Sequence, residues 1–555
     1  MNMMLSSLLT FAAISTTPAE SAERVKENGH GVAASAANVA TPADPTGDPA
    51  VEAIGGIVML PDPAQAAVTG WTGPVTGVDA SRLPPPAGDR LKAALEPYVG
   101  RNLDSATLAE MVNAANAAIA ASPQPFAIAA LPDQNAANGV VQLLVVEGRM
   151  GDLRVVGAKK FNEAGYRNAM TQPPGEPVDK ARLDADIAWI NRNSFREANV
   201  VAAPGGSFGT VDLTLAVEEK RPWSVSATLD DTGTDQTDPL RVGAAFTWGN
   251  AFGRGDILSY QLSASPDFEK TVAHSLGFQS FLPWRHILNV SASYADIKGD
   301  LPDPFTLDGY SWSAAANYEV PLPRGQVLIV GFEFKQSNNN FRFADLPLND
   351  NTVDVAQATI GWRGQFEDNR GGTAVGANLT LSPGGLTGRN NDETFAATRV
   401  GADATYAVLR LSLDRQTRLP AGFTLTNALR AQLSTAALVG SEQLSVGGWS
   451  SVRGFDEGRF YGDRGFVLRN ELGTPMLERR QTRLRPYLFL DTAVFGNRSR
   501  LAGEQSWNDV MSAGAGIDVG IGRHLSLRAS WGFQISESIN NGDKSRGHVG
   551  LAATF

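Results

Sequence analysis

The sequence predicts a mainly β protein: a 16-stranded antiparallel transmembrane β-barrel preceded by two small α+β domains. Three observations lead there. From about residue 222 the apolar residues recur with a period of two, the spacing of a strand whose faces meet different solvents. Before that point, apolar spacings of three to five alternate with short apolar runs. The mean hydropathy of −0.15 and the lack of a long charge-free apolar run exclude a bundle of membrane helices. They leave a membrane barrel open, because its strands alternate and are only mildly hydrophobic.

Residues 1–22, with an apolar stretch from Met3 to Ile14 and small residues up to Ala22, read as a signal peptide, although no Lys or Arg precedes Arg24. Residues 23–72 are rich in Ala, Gly, Pro and Thr and read as a linker with a possible plug segment. Residues 73–150 form the first α+β domain. Leu91, Leu95 and Tyr98, then Leu103, Leu108, Met111, Val112, Ala115 and Ile119, suit two amphipathic helices separated by Gly100. The run from Val140 to Val146 suits a buried strand. Residues 151–221 repeat the cycle: strand Leu153 to Val156, helix Ala181 to Asn191, strands Val200 to Ala203 and Val211 to Val217.

In the barrel region, 222–555, Trp223, Val225, Ala227 and Leu229 share a face, as do Leu258, Tyr260, Leu262 and Ala264. The same holds for Leu288 to Tyr294, Tyr310 to Tyr318 and Leu525 to Phe533. A soluble β-sandwich gives this pattern too, with its apolar face in the core. Length arbitrates, since the 334 residues from 222 to 555 supply about 21 for each of sixteen strands and their connections. The last strand has Val549, Leu551, Ala553 and Phe555 on one face, suiting a sheet that closes on itself and leaves no edge in lipid.

Composition narrows the chemistry. There is no Cys, which excludes disulfides, thiolate metal sites and cysteine nucleophiles. A net charge of −11 has the wrong sign for a nucleic-acid partner. The five histidines are dispersed and make no H-E-x-x-H pair, so no metal and no cofactor are predicted. Gly205-Gly206-Ser207-Phe208-Gly209 fits the nucleophile-elbow pattern, but a strand rather than a helix follows, so a hairpin turn is the better reading and no enzyme is predicted.

Three stretches carry a family resemblance. Val452-Arg453-Gly454-Phe455, followed by Tyr461 to Gly465 and Leu468 to Leu472, is similar to the Val-Arg-Gly-aromatic loop of two-partner-secretion transporters of the TpsB type (ShlB/FhaC/HecB-like), in the POTRA-plus-barrel superfamily. Leu95 to Gly100 through Val146 to Arg149 resembles the first POTRA domain, and Asn191 to Pro204 with Val217 to Trp223 the second. Ser194 stands where the family has proline, Asp491-Thr492-Ala493 lacks a following glycine, and Gly55-Gly56 interrupts any match to the plug helix.

The resemblance implies an outer-membrane transporter whose periplasmic POTRA domains recognise an unfolded exoprotein, at residues the sequence does not identify, and whose barrel translocates it. The lipid bilayer and, during biogenesis, the barrel assembly machinery would be its other partners. Alternation over 483–491 puts Asp491 opposite Leu484, Leu488 and Leu490, hence toward the lumen. The resemblance implies that the loop bearing Arg453 folds inward to meet it as a latch, with Gly454 allowing the turn and Phe455 as apolar anchor. There is no Gly-Lys dipeptide and so no P-loop motor, and the resemblance implies export driven by folding of the passenger outside. An assembly factor that inserts other barrels, a passive porin and a surface adhesin are the alternative readings. Two periplasmic modules favour secretion.

Overall fold

The computed structural model describes residues 33–34, 53–122, 126–207, 209–343, 346–500, 505–537 and 544–555; the expected signal peptide at 1–22 lies outside them. The chain divides into two compact units, Gly29–Arg221 and a second that holds Pro222–Phe555.

The first unit contains two four-stranded sheets, each with helices against it. In the first sheet the order is Gly77–Asp79, Gly56–Leu60, Val140–Val146, Ile128–Ala130. Helices Pro85–Leu95 and Ser105–Ala120 contribute Leu91, Leu95, Met111, Val112 and Ala115 to its core beside Ile57, Met59, Val141 and Leu143. The Asp104 carboxylate caps the second helix by accepting the Thr107 amide at 2.7 Å. This domain starts earlier than the expected boundary at 73, because the segment read as linker contains Gly56–Leu60, one of the sheet's two inner strands. Its four apolar residues are buried on both faces and so show no alternation. Gly56 is required there, since a Cβ would lie 2.6 Å from the Val75 carbonyl oxygen.

The second sheet runs Ala33–Ala34, Arg196–Pro204, Thr210–Glu219, Arg149–Val156, and apart from Ala33–Ala34 its strands begin at Arg149, two residues before the expected boundary. Helices Glu163–Ala169 and Lys180–Ile190 cover it. The strands on either side of the G-x-S-x-G segment, Arg196–Pro204 and Thr210–Glu219, are antiparallel, with the Gly205 amide donating to the Thr210 carbonyl at 2.8 Å. Glu219, at the end of this sheet, accepts the amides of Lys159 (2.9 Å), Lys160 (2.5 Å) and Phe161 (3.2 Å) and the Tyr166 hydroxyl (2.8 Å). Burial pushes its carboxyl up, but those donors outweigh it and hold the group below the usual carboxylate range. Burial first, and then this same carboxylate, pushes the Tyr166 phenol up.

The second unit is a closed antiparallel barrel. It counts sixteen strands from Trp223–Asp230 to Ser545–Thr554, when the short Leu477–Arg479 is taken as a continuation of Arg464–Gly473 against Thr482–Gly496. The last strand pairs with the first from Gly550↔Asp230 to Thr554↔Ser226. Phe555 extends this pairing, donating its amide to Val225 O at 2.8 Å and accepting the Val225 amide at 3.1 Å. The expected alternation is realised in space. Leu488 and Leu490 stand on the outer wall, at 60% and 44% exposure, while Tyr487, Phe489 and Asp491, which alternate with them, are buried inside. Trp531 and Phe533 continue the outer apolar belt, as do Val549, Leu551 and Phe555 of the closing strand.

Candidate functional site

Successive strands are antiparallel, so the connection over residues 435–463, after the eleventh strand Thr424–Ser434, starts at the end of the barrel opposite to Trp223. It turns inward. Its limbs pair as a short hairpin, Leu444–Val446 with Phe460–Gly462. Val446, Val452, Phe455 and Phe460 then pack against wall residues Val467, Ala493, Phe495 and Val510. Phe460 bridges the two, edge-on to Phe455 at 5.8 Å and stacked on Phe495 at 5.6 Å. An apolar cluster on the lumen side of a barrel needs this second layer, because the facing strands alone would leave it in water.

The tip of the loop carries a charge into that cluster. Arg453 is 2% exposed and its guanidinium forks onto Asp491, which is fully buried: Nε lies 2.7 Å from Oδ2 and Nη2 2.9 Å from Oδ1. The Arg453 amide adds a bond to Oδ2 at 3.2 Å. Nη1 reaches Glu471 at 3.0 Å, and Glu471 in turn accepts Arg528 at 2.7 Å. Below the guanidinium lies the Phe489 ring, 3.8 Å from Cζ to centroid. One arginine therefore meets two carboxylates and an aromatic face. Such burial is tolerable because Nε, Nη1 and Nη2 of the cation each donate to a carboxylate.

Backbone geometry fixes the approach. Gly454 has φ +93°, and a Cβ on Gly532 of strand Leu525–Glu537 would lie 2.8 Å from Gly454 Cα. The two glycines let loop and wall cross backbone to backbone, and Gln534 Nε2 donates to Gly454 O at 2.8 Å. The neck is held by fully buried Asp463, which accepts Arg399 Nη1 at 2.7 Å, the Arg498 amide at 2.7 Å and the Leu438 amide at 3.0 Å.

Of the residues singled out in the sequence, Val452, Arg453, Gly454, Phe455 and Asp491 meet in this one place. Val549, Leu551 and Phe555 lie apart on the outer face of the closing strand. Sequence reasoning missed Glu471, Phe489, Arg528 and Gly532 as members of the site. A signal existed for the charged pair, since Glu471 and Arg528 are acidic and basic residue types on the polar face of alternating strands, where a partner is needed. Nothing local marks which strand supplies that partner.

The family model described as haemolysin secretion/activation protein ShlB/FhaC/HecB matches residues 209–519, and the ShlB-type POTRA domain model matches 74–148. The chain is similar to the heme/hemopexin transporter protein HuxB of Haemophilus influenzae, 23% identical over 483 residues and covering 84% of each chain. It is also similar to the outer membrane transporter CdiB of Escherichia coli, 26% identical over 453 residues, 76% of this chain and 73% of that one. Its fold superposes on the solved CdiB from Escherichia coli with a TM-score of 0.69, 18% identity and coverage of 97% and 96%. With a match over more than half its length, POTRA modules ahead of a closed barrel and an inward Val-Arg-Gly-Phe loop, the chain belongs to the ShlB/FhaC/HecB family of haemolysin secretion/activation proteins, the outer-membrane transporters of two-partner secretion.

Proposed function

We propose that this transporter keeps its pore closed with the loop over 435–463 and opens it by breaking the Arg453–Asp491 pair. The exported chain is an unfolded partner exoprotein, and the POTRA domains stand in the periplasm. There an open sheet edge can accept an extended segment as an added strand through main-chain hydrogen bonds, which tolerates varied sequence. The passenger then threads the lumen past the displaced loop and folds outside, making return unfavourable. The reading is carried by the fork of Arg453 on Asp491: a fully desolvated charge pair joining loop to wall has two discrete states, docked and undocked, with little between. Val549, Leu551 and Phe555, on the outer face of the closing strand, are proposed as the signal read by the barrel assembly machinery when the chain itself is inserted.

The test is export. In a strain lacking this transporter, the partner exoprotein should stay in the periplasm, and the wild-type chain should restore its release. An Arg453→Ala chain should insert normally but release little. Normal export by both Arg453→Ala and Asp491→Ala would remove the latch, and normal export without the transporter would remove the secretion role itself.

A further inference from the structure

Besides the tip and the Asp463 neck, the loop is clamped by buried charge at a third place. On its first limb, the short 3-10 turn Gly440–Glu442 presses the Glu442 side chain against a different part of the wall, and that residue is 1% exposed. Its Oε1 lies 3.0 Å from Lys335 Nζ, and its Oε2 lies 3.2 Å from both Arg410 Nη2 and Gln357 Nε2. The backbone carbonyl of Glu442 accepts Gln432 Nε2 at 3.0 Å and Arg410 Nη2 at 3.1 Å. Gln357 is oriented by a neighbour, since its Oε1 accepts the Tyr406 hydroxyl at 3.0 Å and its amide nitrogen is left to donate to Glu333 at 2.8 Å and to Glu442. The donors come from the strands Gln326–Phe343, Leu346–Asp368, Thr405–Arg418 and Thr424–Ser434, none of which holds Arg453.

The charges of this cluster balance only while the loop is in place. The wall supplies Lys335, Arg410 and Glu333, and Glu442 is the second carboxylate that makes the set neutral. Leaving the wall exposes two cations facing one anion. Leaving Asp491 has the opposite sign, stranding that carboxylate at the other wall while Glu471 keeps Arg528.

We propose that Glu442 is a second positioning residue for the loop, tying its first limb to the Lys335–Arg410 wall so that undocking requires both ends to let go. This rests on the latch reading above. The test uses the full-length protein in proteoliposomes, with barrel assembly checked by heat-modifiable gel mobility. Because the chain has no cysteine, Ser445→Cys gives a single maleimide target on the limb between the anchors. Glu442→Gln is expected to label roughly tenfold faster than the parent and to raise single-channel conductance. Glu442→Lys is expected to do more, and adding Lys335→Glu to it restores two charges of each sign and is expected to return both readouts toward the parent. A residue with only a packing role would not be rescued by exchanging signs. Parental labelling and conductance in Glu442→Gln, or no rescue in the swapped pair, overturns the second anchor. Arg453→Ala run in parallel separates the two ideas: if it speeds labelling while Glu442→Gln does not, the second anchor alone fails, and if neither does, the latch reading fails with it.

Discussion

Replacing Arg453 with Ala removes both prongs of the fork on Asp491 and leaves that carboxylate one hydrogen bond, from the backbone amide of residue 453 at 3.2 Å, with Arg469 across the strand pair as the remaining nearby cation. Glu471 suffers less, because Arg528 still reaches it at 2.7 Å. The loss therefore concentrates on one fully buried anion, and breaking such a pair from one side costs about 3–5 kcal/mol. At the lower figure the ratio of docked to undocked loop falls roughly 10²-fold. Ser451, near the tip and little exposed, becomes a near-isosteric reporter as Ser451→Cys. In membranes, where redocking is faster than reaction, the maleimide labelling rate follows the undocked fraction and should rise by about the same roughly 10²-fold. Asp491→Asn should loosen the loop as well. The double variant should be less damaging than the sum of the two by at least about 1 kcal/mol, since no orphan charge is left. Strict additivity, or unchanged labelling in Arg453→Ala, would refute the claim that this pair holds the loop.

Other consequences can be checked separately. Gly532→Ala sets a Cβ 2.8 Å from Gly454 backbone atoms, so it should lift the tip and speed labelling of the Ser451→Cys reporter, and the opposite finding would move the crossing elsewhere. Leu488→Arg puts a charge on the lipid face and should cost about 2–4 kcal/mol of folding free energy in vesicle titrations if Leu488 lies near the bilayer midplane. Glu219→Ala strips acceptors from three amides and a phenol and should cost about 1–3 kcal/mol, seen as faster corrected amide exchange at Lys159 to Phe161. Because the folded Glu219 carboxyl titrates below its unfolded value near 4.5, its contribution is present above that pH and disappears as pH falls through the lower folded value. Protection at those amides should therefore weaken on acidification in the parent and not in Glu219→Gln.

The barrel is readable because each strand divides lipid from lumen and so writes a period of two into the sequence. The runs at 223–230, 258–265 and 525–533 fall on strands Trp223–Asp230, Asp256–Ala264 and Leu525–Glu537. The helices Pro85–Leu95 and Ser105–Ala120 are readable for the parallel reason at a period near 3.6. Gly56–Leu60 is not, since a strand buried on both faces carries no period and five residues are too few to stand out from a small-residue segment. Within the site, Arg453 and Asp491 are legible through the resemblance together with the alternation at 483–491. Lys335 and Glu442 are not: they lie 107 positions apart and no local pattern couples them. Contacts across a lumen depend on how the cylinder closes, which is a property of all sixteen strands at once.

The hydrogen bonds between Ser226–Asp230 and Gly550–Thr554 join segments more than 300 residues apart in the chain. Sealing the wall is therefore the most non-local event in building this molecule, and no shorter-range contact can substitute for it. Until it happens, the nascent molecule carries two bare ribbons of main-chain donors and acceptors at the bilayer, each able to capture the wrong neighbour. A cell making this protein must shelter both margins through the interval between the first hairpin and the last.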